Sequence, residues 1–176
     1  MLGFVESVRN SFAFLPTLGF QEVSASEEKV LFRKDRWGVG VHHEMPGFEL
    51  GASLYCNDTR YSLGEVLRVA DPSMTEYMDA SARTADFVAL GVSSLAELVQ
   101  QHVLPLMRGE NEFVAELERG RREFGEATNV AFARQRAMAA FQHRDYATAA
   151  KWYGMVEDKL TAVERKRLLI ARQHSK

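Results

Sequence analysis

The sequence predicts an α+β protein, with an N-terminal helix on a four-stranded antiparallel β-meander, followed by an α-helical C-terminal region. Two observations support this fold class. Apolar and polar residues alternate over residues 48–56, which is the period of a strand. Apolar residues recur at steps of three and four over residues 111–141, which is the period of a helix. We therefore divide the chain into a helix-plus-sheet subdomain, residues 1–70, and a helical region, residues 71–176.

The first helix is indicated by apolar residues that share one helical face. They are Val5, Val8, Phe12 and Leu15. Pro16 should end this helix, because the residue before a proline is disfavoured in the helical region of backbone space. Three strands are expected to follow, at residues 20–25, 28–34 and 39–41.

The fourth strand, residues 48–56, has the clearest pattern. Its even positions are apolar: Phe48, Leu50, Ala52, Leu54 and Cys56. Its odd positions are small or polar: Glu49, Gly51, Ser53 and Tyr55. An antiparallel sheet built from such strands buries one face and leaves the other polar. We expect the first helix to pack on the apolar face.

Three segments after the four predicted strands match a capping box, in which a hydroxyl residue at the N-cap is followed three residues later by glutamate. They begin at Ser62, Ser94 and Thr161, and they predict three helix starts. Gly91 is a predicted helix stop, and Pro105 should kink or shorten the helix that opens at Ser94. Residues 74–90 are expected to be partly helical.

A heptad-like stripe follows over residues 111–141. Its members are Phe113, Leu117, Gly120, Phe124, Ala127, Ala131, Arg134, Met138 and Phe141. We favour a long helix that packs within its own domain, and a homodimer through this stripe is the alternative. Gly120 lies on the stripe, which suggests the close approach of another element.

Small, turn and packing residues recur over residues 127–158. They are Ala137, Ala140, Asp145, Tyr146, Ala149, Tyr153 and Val156. This segment resembles a single tetratricopeptide-type helix pair, which implies close approach at the small residues Ala137 and Ala149, with Tyr153 beside them. Thr161 stands where the family has a proline, and no second copy is found. Because one repeat cannot form a solenoid, we expect a packing element and not a peptide-binding groove.

Short apolar runs in the N-terminal part carry a second resemblance. They are residues 12–15, 18–20, 30–33, 39–44 and 61–63. This layout resembles a group of small uncharacterised bacterial proteins, some of which are similar to immunity proteins of contact-dependent toxin systems. The resemblance carries over no catalytic residue.

We find no pattern that predicts catalysis, a metal or a cofactor. Within residues 42–44, only His42 and Glu44 can share a strand face, whereas a zinc site needs three or four protein ligands. Residues 38–40, Gly-Val-Gly, lack the helix and lysine of a phosphate-binding loop, and we expect these glycines to relieve crowding or mark a bulge in a strand. Cys56 is the single cysteine and is expected to be a buried small hydrophobe.

The polar face of the sheet is the candidate binding site. Its predicted members are Arg33, Trp37, His42, Glu44, Glu49, Ser53 and Tyr55. Trp37 is placed in the turn that adjoins the face. Tryptophan, tyrosine and arginine are enriched at binding hot spots, which favours a protein partner. The alternatives are that the helical region covers this face, or that it is ordinary solvated sheet.

Composition and charge narrow the class of function. A net charge of −2 argues against a nucleic-acid coat, and the basic residues of 159–176 suit a solvated helix end. No run of about 18 uncharged apolar residues is present to span a membrane. No targeting segment is visible, so we expect a cytoplasmic protein.

The predicted function is non-enzymatic binding of another protein, as an immunity-type or adaptor protein of the bacterial cytoplasm. The alternative is a small-ligand-binding protein or enzyme with a site between the sheet and the helices. A deep apolar pocket with convergent polar groups would favour that alternative. Nucleic-acid binding through the basic C-terminus is the least favoured class.

Overall fold

The computed structural model describes residues 3–44, 46–71, 73–74 and 80–175. The chain divides into two compact units, Met1–Gly120 and Arg121–Lys176. The first unit contains the sheet, the helices that precede it and the helices that follow it as far as Gly120. The fold is α+β, as predicted, with a helical C-terminal part. Within the described residues, no helix is both long and apolar enough to cross a bilayer.

The sheet is an antiparallel meander in which neighbours along the chain pair in order. Its strands are β1 (Gln21–Ala25), β2 (Lys29–Lys34), β3 (Trp37–Glu44), β4 (Glu49–Cys56) and β5 (Thr59–Ser62). The two-residue strand β6 (Ala80–Ser81) pairs with the start of β4, beyond the point where β5 ends. The first four strands lie close to their predicted positions.

The prediction of four strands was incomplete, because β5 and β6 extend the sheet. β5 returns from β4 through the two-residue turn at Asn57 and Asp58, with Cys56 opposite Thr59. A short hairpin of this kind favours Asn or Asp at the turn, and Asn57 has a φ of 52°. The sequence therefore held a signal for β5, whereas the two residues of β6 pair only through tertiary contact.

The N-terminal helix forms where predicted but ends earlier. α1 (Phe4–Ser11) is followed by the short helix α2 (Phe14–Thr17), and Pro16 lies inside α2. The prediction that Pro16 ends the first helix was wrong. Proline is tolerated in the first turn of a helix, where the backbone N–H has no intrahelical partner.

The core of the first unit lies between the helices and one face of the sheet. Leu50 is 0% and Leu54 is 2% exposed, which confirms that the even positions of β4 face inward. Phe4 and Val8 of α1 are fully buried in the same cluster as these leucines. Burial of apolar area on this face is the main term that holds helix and sheet together.

The helical part of this unit confirms some predicted boundaries and corrects others. Its elements are α3 (Leu63–Ala70), α4 (Ala85–Leu98), a π-helix (Val99–Val103), a 3₁₀-helix (Leu106–Gly109) and the start of α5 (Glu110–Gln142). The capping box at Ser62 starts α3 as predicted. Residues 75–79, part of the segment expected to be partly helical, lie outside the described residues.

The predicted helix start at Ser94 and stop at Gly91 were both wrong, because α4 runs through these positions from its N-cap at Thr84. The hydroxyl of Ser94 donates to the carbonyl of Leu90, one turn earlier in the same helix. Pro105 interrupts the helix after the π-helical segment, as expected of a residue without a backbone N–H.

The heptad-like stripe on α5 is buried at its start and partly exposed further along. Phe113 and Leu117 are buried in the core of the first unit. A Cβ on Gly120 would lie 3.3 Å from Val69 Cγ2, which confirms the predicted close approach at this glycine. Further along, Phe124 is 52% and Met138 is 42% exposed.

The second unit consists of the end of α5 packed with α6 (Tyr146–Gly154), a 3₁₀-helix (Glu157–Lys159) and α7 (Ala162–His174). Ala137, Ala149 and Tyr153 are fully buried. The capping box at Thr161 starts α7 as predicted. Arg172 donates two hydrogen bonds to the carboxylate of Glu157, at 3.0 and 2.6 Å.

Candidate functional site

The strand register defines the face of the sheet opposite the helices, which we call the polar sheet face. Residues paired across neighbouring strands point to the same side, so Lys29, His42 and Gly51 share this face. The same reasoning adds every second residue of β2, β3, β4 and β5. The face then comprises Lys29, Leu31, Arg33, Gly38, Gly40, His42, Glu44, Glu49, Gly51, Ser53, Tyr55, Arg60 and Ser62.

Two glycines of β3 form a floor on which larger side chains lie. A Cβ on Gly40 would come within 2.9 Å of Cε2 of Tyr55, and a Cβ on Gly38 within 3.1 Å of Cδ of Arg33. The side-chain atoms nearest these glycines therefore belong to the sheet itself. The glycines relieve crowding, as the sequence predicts, and they let the ring of Tyr55 lie close to the backbone.

Tyr55 is held between two cations. The ammonium of Lys29 donates to the hydroxyl of Tyr55 at 2.9 Å and lies 4.9 Å from the ring centroid. The guanidinium of Arg33 lies 5.4 Å from the same centroid and donates to the carbonyl of Asn57 at 2.7 Å. Cation–π contacts of this kind contribute about 0.5–1 kcal/mol each at exposed sites. The half-buried ring is thus restrained before any partner binds.

Ser53 lies on the predicted face but not at its surface, because it is only 4% exposed. Its hydroxyl accepts a hydrogen bond from Nε of Arg60 at 2.8 Å. Arg60, on β5, extends over the shorter side chain. Arg60 was not predicted because β5 was not predicted. Lys29 was not predicted either, although the alternation of β2 places it with Arg33.

The face also carries acidic residues, which lie towards one end of the sheet. Glu44 and Glu49 are directly opposite each other on β3 and β4, and both are exposed. Like charges in this arrangement destabilise a sheet. His42 Nε2 lies 3.8 Å from a carboxylate oxygen of Glu44. A shallow cavity of about 340 Å³ lies among these side chains, lined by Glu28, Lys29, His42, Glu44, Tyr55 and Arg60.

Trp37 does not belong to the polar sheet face, contrary to the prediction. It begins β3 on the side of Val39 and Val41, is 7% exposed, and its ring centroid lies 6.4 Å from that of Phe113. The turn is shorter than expected, and Asp35 occupies it with a φ of 51°. Because β3 starts at residue 37, strand alternation places the indole in the core.

The alternation of β3 also places His43 on the face of the sheet opposite His42 and Glu44. It is 3% exposed, and its Nε2 lies 3.0 Å from the carbonyl oxygen of Ala82. A carbonyl only accepts, so in this contact Nε2 is the donor. In the described part of the chain, no cluster of three or more His, Cys, Asp or Glu side chains could hold a metal ion.

The polar sheet face offers cations, carboxylates and one aromatic ring. Cys56 is a buried free thiol whose side chain lies on the opposite face of the sheet from Lys29, Arg33 and Tyr55. The cations and the aromatic ring of the polar sheet face can pair with carboxylates and pack against a partner. A scan against protein-family models, curated proteins and solved structures finds no match to this chain.

Proposed function

We propose that this chain is a non-enzymatic protein-binding module that uses the polar sheet face, as an immunity-type or adaptor protein of the bacterial cytoplasm. The observation that supports the proposal best is Tyr55, a half-buried ring restrained over a glycine floor between Lys29 and Arg33. A restrained aromatic residue with arginine beside it is typical of a binding hot spot.

Restraint matters because binding costs side-chain entropy. Ordering a mobile side chain at an interface costs about 0.5–1.5 kcal/mol. The hydrogen bond from Lys29 and the close floor at Gly40 already limit Tyr55 in the unbound chain. Binding of a partner to the ring should therefore cost less side-chain entropy than binding to a mobile tyrosine would.

The charges of the face indicate the chemistry of the partner. Lys29, Arg33 and Arg60 suit carboxylates, while the opposed Glu44 and Glu49 suit a cation at the acidic end of the face. Such complementary charges favour the correct partner and orientation more than they raise affinity. The partner we propose is a folded protein with acidic residues around an apolar contact for Tyr55.

A homodimer through α5 is a second candidate, because Phe124 and Met138 are exposed members of the predicted stripe. Phe113 and Leu117 are buried in the core and would take no part. Light scattering of the intact protein and of a Phe124→Glu variant tests this candidate. A dimer that the variant disrupts supports it, and a monomeric wild-type protein at micromolar concentration contradicts it.

The protein-binding proposal is tested by affinity purification from the source cells with quantitative mass spectrometry. The test variant is Arg33→Ala/Tyr55→Ala, and the matched control, Phe87→Ala/Arg119→Ala, removes an exposed aromatic residue and an arginine outside the face. Far-ultraviolet circular dichroism confirms that both variants fold.

We expect proteins that are recovered with the wild type and the control but lost with the face variant. Recovery that is the same for all three proteins, or no protein enriched with the wild type, would contradict the proposal. So would turnover of a substrate by the purified chain in a broad hydrolase screen.

A further inference from the structure

A cleft of about 560 Å³ lies in the first unit, at the end of the sheet where β2 turns into β3. Its apolar lining comes from several elements: Leu18, Phe20, Trp37, Leu104, Pro105 and Met107. Phe20 and Trp37 are each 7% exposed and lie deep, whereas Leu18 is 43% exposed. Trp37 lies on the helix-covered side of the sheet, so this cleft and the polar sheet face are separate sites.

The wall of the cleft includes an unusual backbone segment. Val99–Val103 is a π-helix, in which the amide of Leu104 donates to the carbonyl of Val99 at 3.1 Å. Pro105 follows and has no amide with which to continue the helix. Single π turns are rare in proteins and are frequent at functional sites. Here the π turn contributes Gln100 and leads to Leu104, both of which line the cleft.

The size and lining of the cleft indicate a class of ligand. Pockets for small molecules have volumes of about 300–1,000 Å³ and mainly apolar walls with a few polar groups. Lys34 and Asp35 are exposed residues that line this cleft and carry opposite charges, so their charges cancel. The ammonium of Lys34 donates to the carbonyl of Leu18 at 2.7 Å. Because the lining has no net charge, it disfavours a strongly anionic ligand such as a nucleotide.

Trp37 adds a second, independent observation. Its indole Nε1 is buried, and among the described residues it has no hydrogen-bond partner. Buried donors are nearly always satisfied in folded proteins, and each exception calls for an explanation such as a water or a ligand. Trp37 therefore both lines the cleft and has an indole N–H without a hydrogen-bond acceptor among the described residues.

We propose that this cleft binds a neutral, largely apolar, small organic molecule that packs on Trp37. The site is independent of the protein-binding proposal, because it uses the opposite side of the sheet and none of the same residues. It corresponds to the alternative predicted from the sequence, a small-ligand site between the sheet and the helices.

The experiment uses the full chain with Trp152→Phe, so that Trp37 is the single tryptophan. The probe is phenylnaphthylamine, a neutral apolar dye that accepts energy from tryptophan, and its anionic counterpart is anilinonaphthalene sulfonate. Leu18→Arg places a charged side chain in the mouth of the cleft. Leu90→Arg is the matched control, because Leu90 is 65% exposed and does not line the cleft.

We expect saturable quenching of Trp37 by the neutral dye at one site, weakened at least about tenfold by Leu18→Arg, which is about 1.4 kcal/mol, and unchanged by Leu90→Arg. Absence of saturable quenching in the parent chain would overturn the proposal. Equal effects of the two arginine substitutions would also overturn it, as would tighter binding of the anionic dye than of the neutral one.

Discussion

At the scale of single residues, a glycine determines how Tyr55 lies on the sheet. The space above Gly40 is occupied by the tyrosine ring, and any side chain at this position would compete for it. The arrangement converts an ordinary strand tyrosine into a restrained contact between Lys29 and Arg33. The candidate site therefore depends on a residue that itself offers no side chain to a partner.

Gly40→Ala should displace the ring of Tyr55 without unfolding the sheet. The new Cβ would meet Cε2 at 2.9 Å, and the half-exposed ring can move outward. Alanine also restricts the unfolded chain, which offsets part of the strain, so we expect a change in unfolding free energy within about 1 kcal/mol. Loss of the Lys29–Tyr55 contact should appear as changed NMR shifts of the Tyr55 ring. Unchanged shifts would contradict this role of the glycine.

Gly125→Ala, unlike Gly40→Ala, should stabilise the protein without displacing any neighbouring side chain. Gly125 lies inside α5, and a Cβ there meets nothing within 4 Å. Replacing glycine by alanine in a helix interior with open space stabilises by about 0.5–1 kcal/mol. Urea unfolding should show the gain. A loss of stability would indicate that Gly125 is required for a bend in the helix.

At the scale of elements, a capping box at the start of α7 and nearby charged residues stabilise the second unit. Thr161 accepts the amide of Glu164, and the carboxylate of Glu164 accepts from the amide and hydroxyl of Thr161. Burial alone would raise the pKa of Glu164, but the hydrogen bonds from Thr161 and the nearby Arg134 and Arg167 hold it below its ordinary value. The capping box is therefore a charged element as well as a hydrogen-bonded one.

Thr161→Ala should lower the unfolding free energy of the second unit by about 1 kcal/mol, because the first turn of α7 loses its side-chain acceptor. Thr161→Ser keeps the hydroxyl and serves as the control. Trp152 fluorescence during urea unfolding, in a Trp37→Phe background, reports on this unit. Equal stability of the alanine and serine variants would contradict the role assigned to the cap.

The ion pair between Glu157 and Arg172 predicts a pH dependence. The hydrogen bonds from Arg172 lower the pKa of the Glu157 carboxyl below its ordinary value. A lowered pKa stabilises the folded state above the ordinary glutamate pKa, and that contribution is lost as pH falls through the lowered value. The stability difference between wild type and Glu157→Gln should therefore be largest near neutral pH and vanish in acid. A difference that grows as pH falls would contradict this assignment.

Local signals explain which elements could be predicted from the sequence. The alternation of β4 and the capping boxes at Ser62 and Thr161 depend on neighbouring residues, so the pattern and the structure agree. The same motif at Ser94 failed because a longer helix, capped at Thr84, buries Leu95 and Ala96 through tertiary packing. β6 pairs across distant chain positions and left no local pattern.

The candidate site was predictable only in part, for a related reason. Arg33, His42, Glu44, Glu49 and Tyr55 follow from strand parity and do share the face. Trp37 was wrongly predicted to lie in the turn, because the turn is shorter than expected. β3 begins at Trp37, and the alternation of the strand turns the indole into the core. Ser53 has the predicted parity, but its burial depends on Arg60 of an unpredicted strand.

At the scale of the whole molecule, the two sides of the sheet have different surroundings. One side holds the core of the first unit, with Leu50 and Leu54 buried among the helices. The other presents a cationic and aromatic cluster with an acidic end. A protein partner on the second side would account for a restrained surface of this kind, and for the opposed pair Glu44 and Glu49.

Site-specific photo-cross-linking in the source cells tests this claim most directly. Benzoylphenylalanine replaces Glu44 on the polar sheet face or, as the control, Phe87 on the exposed side of α4, which is 60% exposed. We predict a discrete protein adduct from position 44 that is absent from position 87 and is suppressed by Tyr55→Ala. The same adducts from both positions, or an adduct that Tyr55→Ala leaves undiminished, would contradict the account.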